Sequence, residues 1–129
     1  MNAEGGGLLN FYLILMSKIT VSAIEAKQLI NGYLARFIHT DNMTFSYVDV
    51  EKGKTLPEHS HHNEQVSIML EGEFELTLEE TPIRFGPGEV IVIPANAKHS
   101  GLAVTDCRIL DVFYPAREDY RKLGGLSVK

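Results

Sequence analysis

Phe74, Leu76 and Leu78 alternate with Glu73, Glu75, Thr77 and Glu79, so residues 73–79 carry one dry side and one wet side. Side chains two apart point the same way on an extended strand, and this period of two excludes a helix here. The same signal recurs in short pieces along the chain. Residues 33–39 and 43–50 read as two strands joined by Thr40-Asp41-Asn42, with Met43, Phe45 and Tyr47 expected on the buried face. Residues 65–70 form another, turned by Glu71-Gly72 into the alternating segment. Residues 82–85 are followed by Gly86-Pro87-Gly88, then by the wholly apolar 90–93 and by strands over 102–104 and 108–114. Residues 21–29 fit either a short strand or a helical turn. Residues 118–123 fit one helical turn, with Gly124-Gly125 fraying beyond it. Short strands at close spacing, punctuated by Gly and Pro, predict an all-β sandwich or barrel.

The 129 residues suit one domain, and 44% apolar with 22% charged content is enough for a single core. A net charge of −5 with no basic run argues against a nucleic-acid partner. One cysteine, Cys107, excludes an internal disulfide, suits a reducing cytoplasm and reads as a small core residue. The apolar run over residues 8–16 is too short to cross a bilayer and follows no positive stretch. We therefore expect an N-terminal extension or edge strand over 1–16, one folded domain over 17–129, no membrane partner and a cytoplasmic location.

Three of the five histidines lie in Pro57-Glu58-His59-Ser60-His61-His62. On an extended strand His59 and His61 would face one side together, and Gln65, past a turn, can add an oxygen. His99 is the candidate fourth donor. Imidazoles suit divalent transition metals, and zinc, nickel, iron or manganese all remain open. His62 reads as exposed and His39 as structural. Asp111 lies on the strand face it shares with Cys107, Ile109 and Phe113. A carboxylate among apolar neighbours is costly unless paired or used. It is either one half of an ion pair with Arg108 or Arg117, or a general acid/base.

Two spaced motifs add to this. Gly53, His59, His61, Gln65 and Gly72 are separated by five, one, three and six residues. Gly88, Pro94, Asn96 and His99 are separated by five, one and two. Together they resemble the two signature motifs of the cupin superfamily, which implies a small double-stranded β-helix, or jelly-roll barrel, commonly dimeric. Two departures stand out. Gln65 replaces the usual glutamate ligand, and Asn96 and Ala103 replace a glycine and an asparagine. With glutamine, the full dipositive charge faces the open positions of the metal, which favours Lewis-acid chemistry on carboxylates and enolates over oxygenation.

The segment Leu110-Asp111-Val112-Phe113-Tyr114-Pro115-Ala116-Arg117-Glu118-Asp119-Tyr120 resembles the C-terminal signature of single-domain cupins that linearise unsaturated uronates in pectin and alginate breakdown. Those proteins also carry glutamine in the first motif. The resemblance implies that Asp111, Phe113 and Arg117 line the active site, beside a metal held by His59, His61, Gln65 and His99. The implied activity is ring opening and tautomerisation of a 4,5-unsaturated uronate. A three-histidine dioxygenase and a non-enzymatic sugar-acid binder are the alternatives, and a homodimer is expected.

Overall fold

The computed structural model describes residues 18–128, so the extension read over 1–16 lies outside the described residues. After a single 3-10 turn, Val21–Ala23, the chain runs through Lys27–Ile30 (β1), Tyr33–His39 (β2), Thr44–Val50 (β3), Thr55–His59 (β4) and Glu64–Glu71 (β5). It continues through Phe74–Leu78 (β6), Thr81–Phe85 (β7), Val90–Ile93 (β8), His99–Ala103 (β9) and Cys107–Tyr114 (β10). A short helix, Glu118–Leu123 (α1), and Leu126–Ser127 (β11) end it. The larger sheet has the order β1-β2-β3-β10-β5-β8, with β11 also on β2, and the smaller has the order β4-β9-β6-β7. The expected jelly roll is the architecture found. Among the described residues no helix is long and apolar enough to cross a membrane.

The period-two signal locates β6 to the residue. Phe74 and Leu76 are buried, while Glu73 and Glu79 face solvent. Gly101, across the ladder from Leu76, is needed because a Cβ there would collide with the Phe74 ring. β3 reverses the expectation: Thr44, Ser46, Val48 and Val50 are buried, whereas Phe45 and Tyr47 lie on the partly exposed outer face. Ser46 sits beside Asp111 in register, so the interior is polar at this end and the alternation reads inside out. β4, expected only as an extended stretch carrying His59 and His61, has no hydropathy alternation. It carries Pro57 on the edge of the smaller sheet, where a missing N–H is tolerated, and is irregular between Leu56 and His59.

The tail does not fray. Gly124 closes α1 by donating its N–H to the Tyr120 carbonyl (3.3 Å). Gly125, at φ +95°, lies against Phe37 where any Cβ would clash, and β11 then pairs in parallel with Ile38 and His39. His39, fully buried, holds this arrangement. Its Nε2–H donates to the Gly124 carbonyl (2.9 Å) and its Nδ1 accepts the Thr44 hydroxyl (3.0 Å). The Thr44 oxygen in turn accepts the backbone N–H of Arg117 (2.9 Å).

Burial lowers the His39 pKa below its ordinary 6.5. The unfolded chain therefore takes up a proton near that pH while the folded ring resists. The stability so contributed is complete above 6.5 and is lost as pH falls towards the folded value. Thermal melts of metal-free protein across this range are expected to show the acid loss. His39→Gln should show a shallower pH dependence, His61 and His99 supplying the remainder.

Candidate metal centre

Strand pairing brings two of the histidines together. β4 and β9 run antiparallel with His59 directly opposite His99, and their ring centroids lie 4.2 Å apart. His61 arrives differently from the expectation. β4 ends at His59, and His61 projects from the bend that follows, not from the same extended strand. Two contacts fix that bend. The His61 carbonyl accepts the N–H of Asn96 (2.7 Å), and the Asn63 side-chain amide donates to the Pro115 carbonyl (2.7 Å). Asn96 occupies the motif's glycine position at φ +68°, a left-handed conformation that asparagine tolerates.

The proton positions follow from the backbone. The Nδ1 atoms of His59, His61 and His99 face the carbonyls of Pro57 (2.8 Å), Asn63 (3.0 Å) and Ala97 (2.9 Å). A carbonyl can only accept, so each Nδ1 carries the hydrogen and each neutral ring leaves Nε2 bare. Burial lowers the pKa of His99 and brings that of His61 to about 4, neighbouring positive groups adding to the effect, so neither carries a second proton near neutrality. One nitrogen from each of the three rings lies within 4.8 Å of the others. His99 Nε2 is buried with no hydrogen-bond partner.

Gln65, at the start of β5, lies beside the three rings. Its Oε1 lies 3.1 Å from His61 Nε2, and its Nε2–H donates to Ser67 Oγ (3.0 Å). Two lone-pair atoms facing each other at that distance repel unless a cation lies near both. An orphaned imidazole nitrogen, two further bare ones and an opposed amide oxygen therefore fit a divalent transition metal.

Asp111, on β10, lies between Ser46 of β3 and Ser67 of β5 in register. Ser67 donates its hydroxyl to Asp111 Oδ1 (2.6 Å). The carboxyl keeps some surface open to the interior cavity but lies deep. Burial pushes it up to about 6, against the opposing hydrogen bonds from Ser67 and Gln65 and the Arg117 charge. Neither expected ion pair forms. Arg108 binds Asp49 (2.8 Å) and Glu71 on the outer face, and Arg117 binds Asp119.

Phe113 stands between the histidines and Arg117, edge-on to the His61 ring (centroids 5.6 Å) and 4.9 Å below the Arg117 guanidinium carbon. Arg117 is buried, not a solvated surface charge. Its Nε and Nη2 grip Asp119 (2.9 and 2.7 Å), and it stacks on Tyr120 (3.8 Å). The Nη1 end of the fork is left over, and Arg117 and Tyr120 both line the cavity that holds His59, Gln65, His99 and Asp111. Six of the expected residues, His59, Gln65, His99, Asp111, Phe113 and Arg117, line this one cavity, and His61 lies beside it against His99, Gln65 and Phe113. Ser67, Asn63, Asp119 and Tyr120 escaped the sequence reading. Only Asp119 carried a usable signal, a carboxylate two residues from an arginine.

The family profile described as the cupin domain matches residues 46–113, more than half of the chain. The chain is a cupin. No curated protein sequence matches this cupin. Among solved structures it is similar to KdgF from Halomonas sp., at 25% identity and TM-score 0.74 over 78% of this chain and 94% of that one. An RmlC-like cupin from Shewanella frigidimarina is 23% identical, with TM-score 0.75 over 79% of this cupin and 93% of the other. Oxalate decarboxylase from Bacillus subtilis shares the fold at 20% identity and TM-score 0.67, over 75% of this cupin and 28% of that chain.

Proposed function

We propose that this cupin holds a divalent metal through His59, His61, Gln65 and His99 and converts a 4,5-unsaturated uronate monosaccharide to the linear 5-keto-4-deoxyuronate. The observation that carries this is that a deep carboxyl, Asp111, and a buried arginine, Arg117, line the same cavity as His59, Gln65 and His99, with His61 clustered against those two histidines. When bound, the ion would supply positive charge to the substrate oxygens as negative charge develops on them.

The remaining chemistry belongs to side chains. Asp111 takes the proton of the anomeric hydroxyl as the bond between C1 and the ring oxygen breaks. The electron pair passes to that oxygen and leaves an enolate, to which Asp111 returns the proton at C4. Atoms balance, since the reaction is an isomerisation. A carboxyl raised to about 6 is suited both to accept and to return a proton near neutrality. Asp119 occupies the Nε–Nη2 edge of the Arg117 fork, so the substrate carboxylate would meet the other edge, where one N–H of Nη1 and the second N–H of Nη2 still point in parallel. Phe113 forms the apolar wall between that carboxylate and the histidines.

The test is a turnover assay on unsaturated uronate with zinc-, nickel-, iron- or manganese-loaded protein, product being followed by proton NMR. Accumulation of the linear keto acid supports the proposal. Oxygen consumption without that product would replace it with the dioxygenase reading. Binding without turnover would leave a sugar-acid binder.

We also propose that a second copy covers the outer face of the larger sheet. Val66, Val92 and Val112 form one row across three adjacent strands, and Ile68, Val90 and Leu110 form the next. Val90 and Val92 are 54% and 56% exposed, large values for residues in so continuous an apolar face. Arg36, Arg108, Asp49 and Glu71 at its margin pair among themselves, so the patch offers a like copy no net charge to repel it. Sedimentation velocity is expected to give a dimer and Val92→Lys a monomer. A monomeric wild type at tens of micromolar would remove this proposal.

A further inference from the structure

We infer that Ser67 is a positioning residue that fixes which end of the Gln65 amide faces the three histidines. The inference rests on the metal-site reading above and adds a determinant outside the ligand set. Ser67 is buried and sits two residues beyond Gln65 on the same face of β5, directly opposite Asp111 on β10.

The oxygen and nitrogen ends of a carboxamide are nearly the same size, so packing alone does not choose between them. In the metal-free site the local preference is the wrong one. With the amide turned round, its N–H would donate to the bare Nε2 of His61, which now faces Oε1 at 3.1 Å. Ser67 opposes that turn. Its hydroxyl has one hydrogen, committed to Asp111 Oδ1 at 2.6 Å, where an ionised carboxylate has none to give in return. Only lone pairs of Ser67 Oγ are left for Gln65, and only the N–H end of the amide can satisfy them, at 3.0 Å. The oxygen end is thereby aimed at the histidines.

Without the hydroxyl the N–H end keeps only the Asp111 carboxyl as a partner, so the amide turns to His61 more readily and the ion must then reverse it before binding. Loss of a partner that orients a ligand typically weakens metal affinity by about 10–100-fold. The experiment is calorimetric titration of metal-free protein with Ni²⁺ and with Zn²⁺, on wild type, Ser67→Ala, Ser67→Thr, Gln65→Ala and the double variant Ser67→Ala/Gln65→Ala. Ser67→Ala is expected to bind about 10–100-fold more weakly, and Ser67→Thr to recover most of the loss. The double variant is expected to bind no more weakly than Gln65→Ala alone, because Ser67 acts through Gln65. A general structural role would instead add the two losses. Wild-type binding with Ser67→Ala equally tight, or with additive losses, overturns the inference and leaves the site standing. A wild type that binds neither ion overturns the site reading and this inference with it.

Discussion

His99→Ala is expected to abolish both metal binding and turnover, while leaving the melting temperature of the metal-free protein nearly unchanged. The two effects have separate origins. His99 contributes a bare Nε2 that is buried without a partner, and an orphaned buried polar atom costs about 1–3 kcal/mol. Removing the ring removes that penalty and offsets part of the cost of the space it leaves. The metal-loaded state behaves differently. A ligand at a hundred times its dissociation constant stabilises the native state by about 2.7 kcal/mol, and the variant forfeits this. The check is a pair of thermal melts with and without Ni²⁺, read beside elemental analysis. A variant that keeps a stoichiometric ion, or whose melting temperature still rises with Ni²⁺, would take His99 out of the site.

Asp111→Asn is expected to leave metal content unchanged and to lower kcat by about 10²–10⁴-fold, the usual contribution of a general acid/base. Asparagine has the same shape and still accepts the Ser67 hydroxyl, so the cavity wall is kept and only the proton carrier is lost. A second consequence concerns stability. Burial raises the Asp111 carboxyl from its ordinary 3.8 to about 6, so the metal-free native state bears the cost of an ionised buried carboxylate above that value. The asparagine variant should therefore melt higher than wild type above pH 6, with the difference shrinking as pH falls through 6 towards 4. Near-wild-type rates on unsaturated uronate, whatever the melting behaviour, would remove Asp111 from the mechanism.

Where the sequence was legible, one physical rule was acting alone. β6 has a dry interior on one side and solvent on the other, so its alternation located the strand. β3 and β5 lie over the polar end of the interior, where Ser46, Gln65 and Ser67 are buried while Val66 and Ile68 face outward, and in β3 hydropathy pointed the wrong way. The clustered histidines, His59, His61 and His99, were visible because donor identity and spacing survive such inversions. His61 shows the limit of the spacing argument: it reaches the others from a bend secured by Asn96 and Asn63. Ser67 has no signature at all, since a serine in a strand is ordinary and its importance comes from Asp111, 44 positions away. The tail misled because Gly124-Gly125 resembles a loose end, whereas Gly125 is required by contact with Phe37.

The roof over the cavity, Arg117 and Tyr120, is latched from behind by the last few residues of the described chain, through His39 and the short parallel strand. A carboxypeptidase nibbling inward past Ser127 would thus loosen the cavity before it touched any residue that lines it.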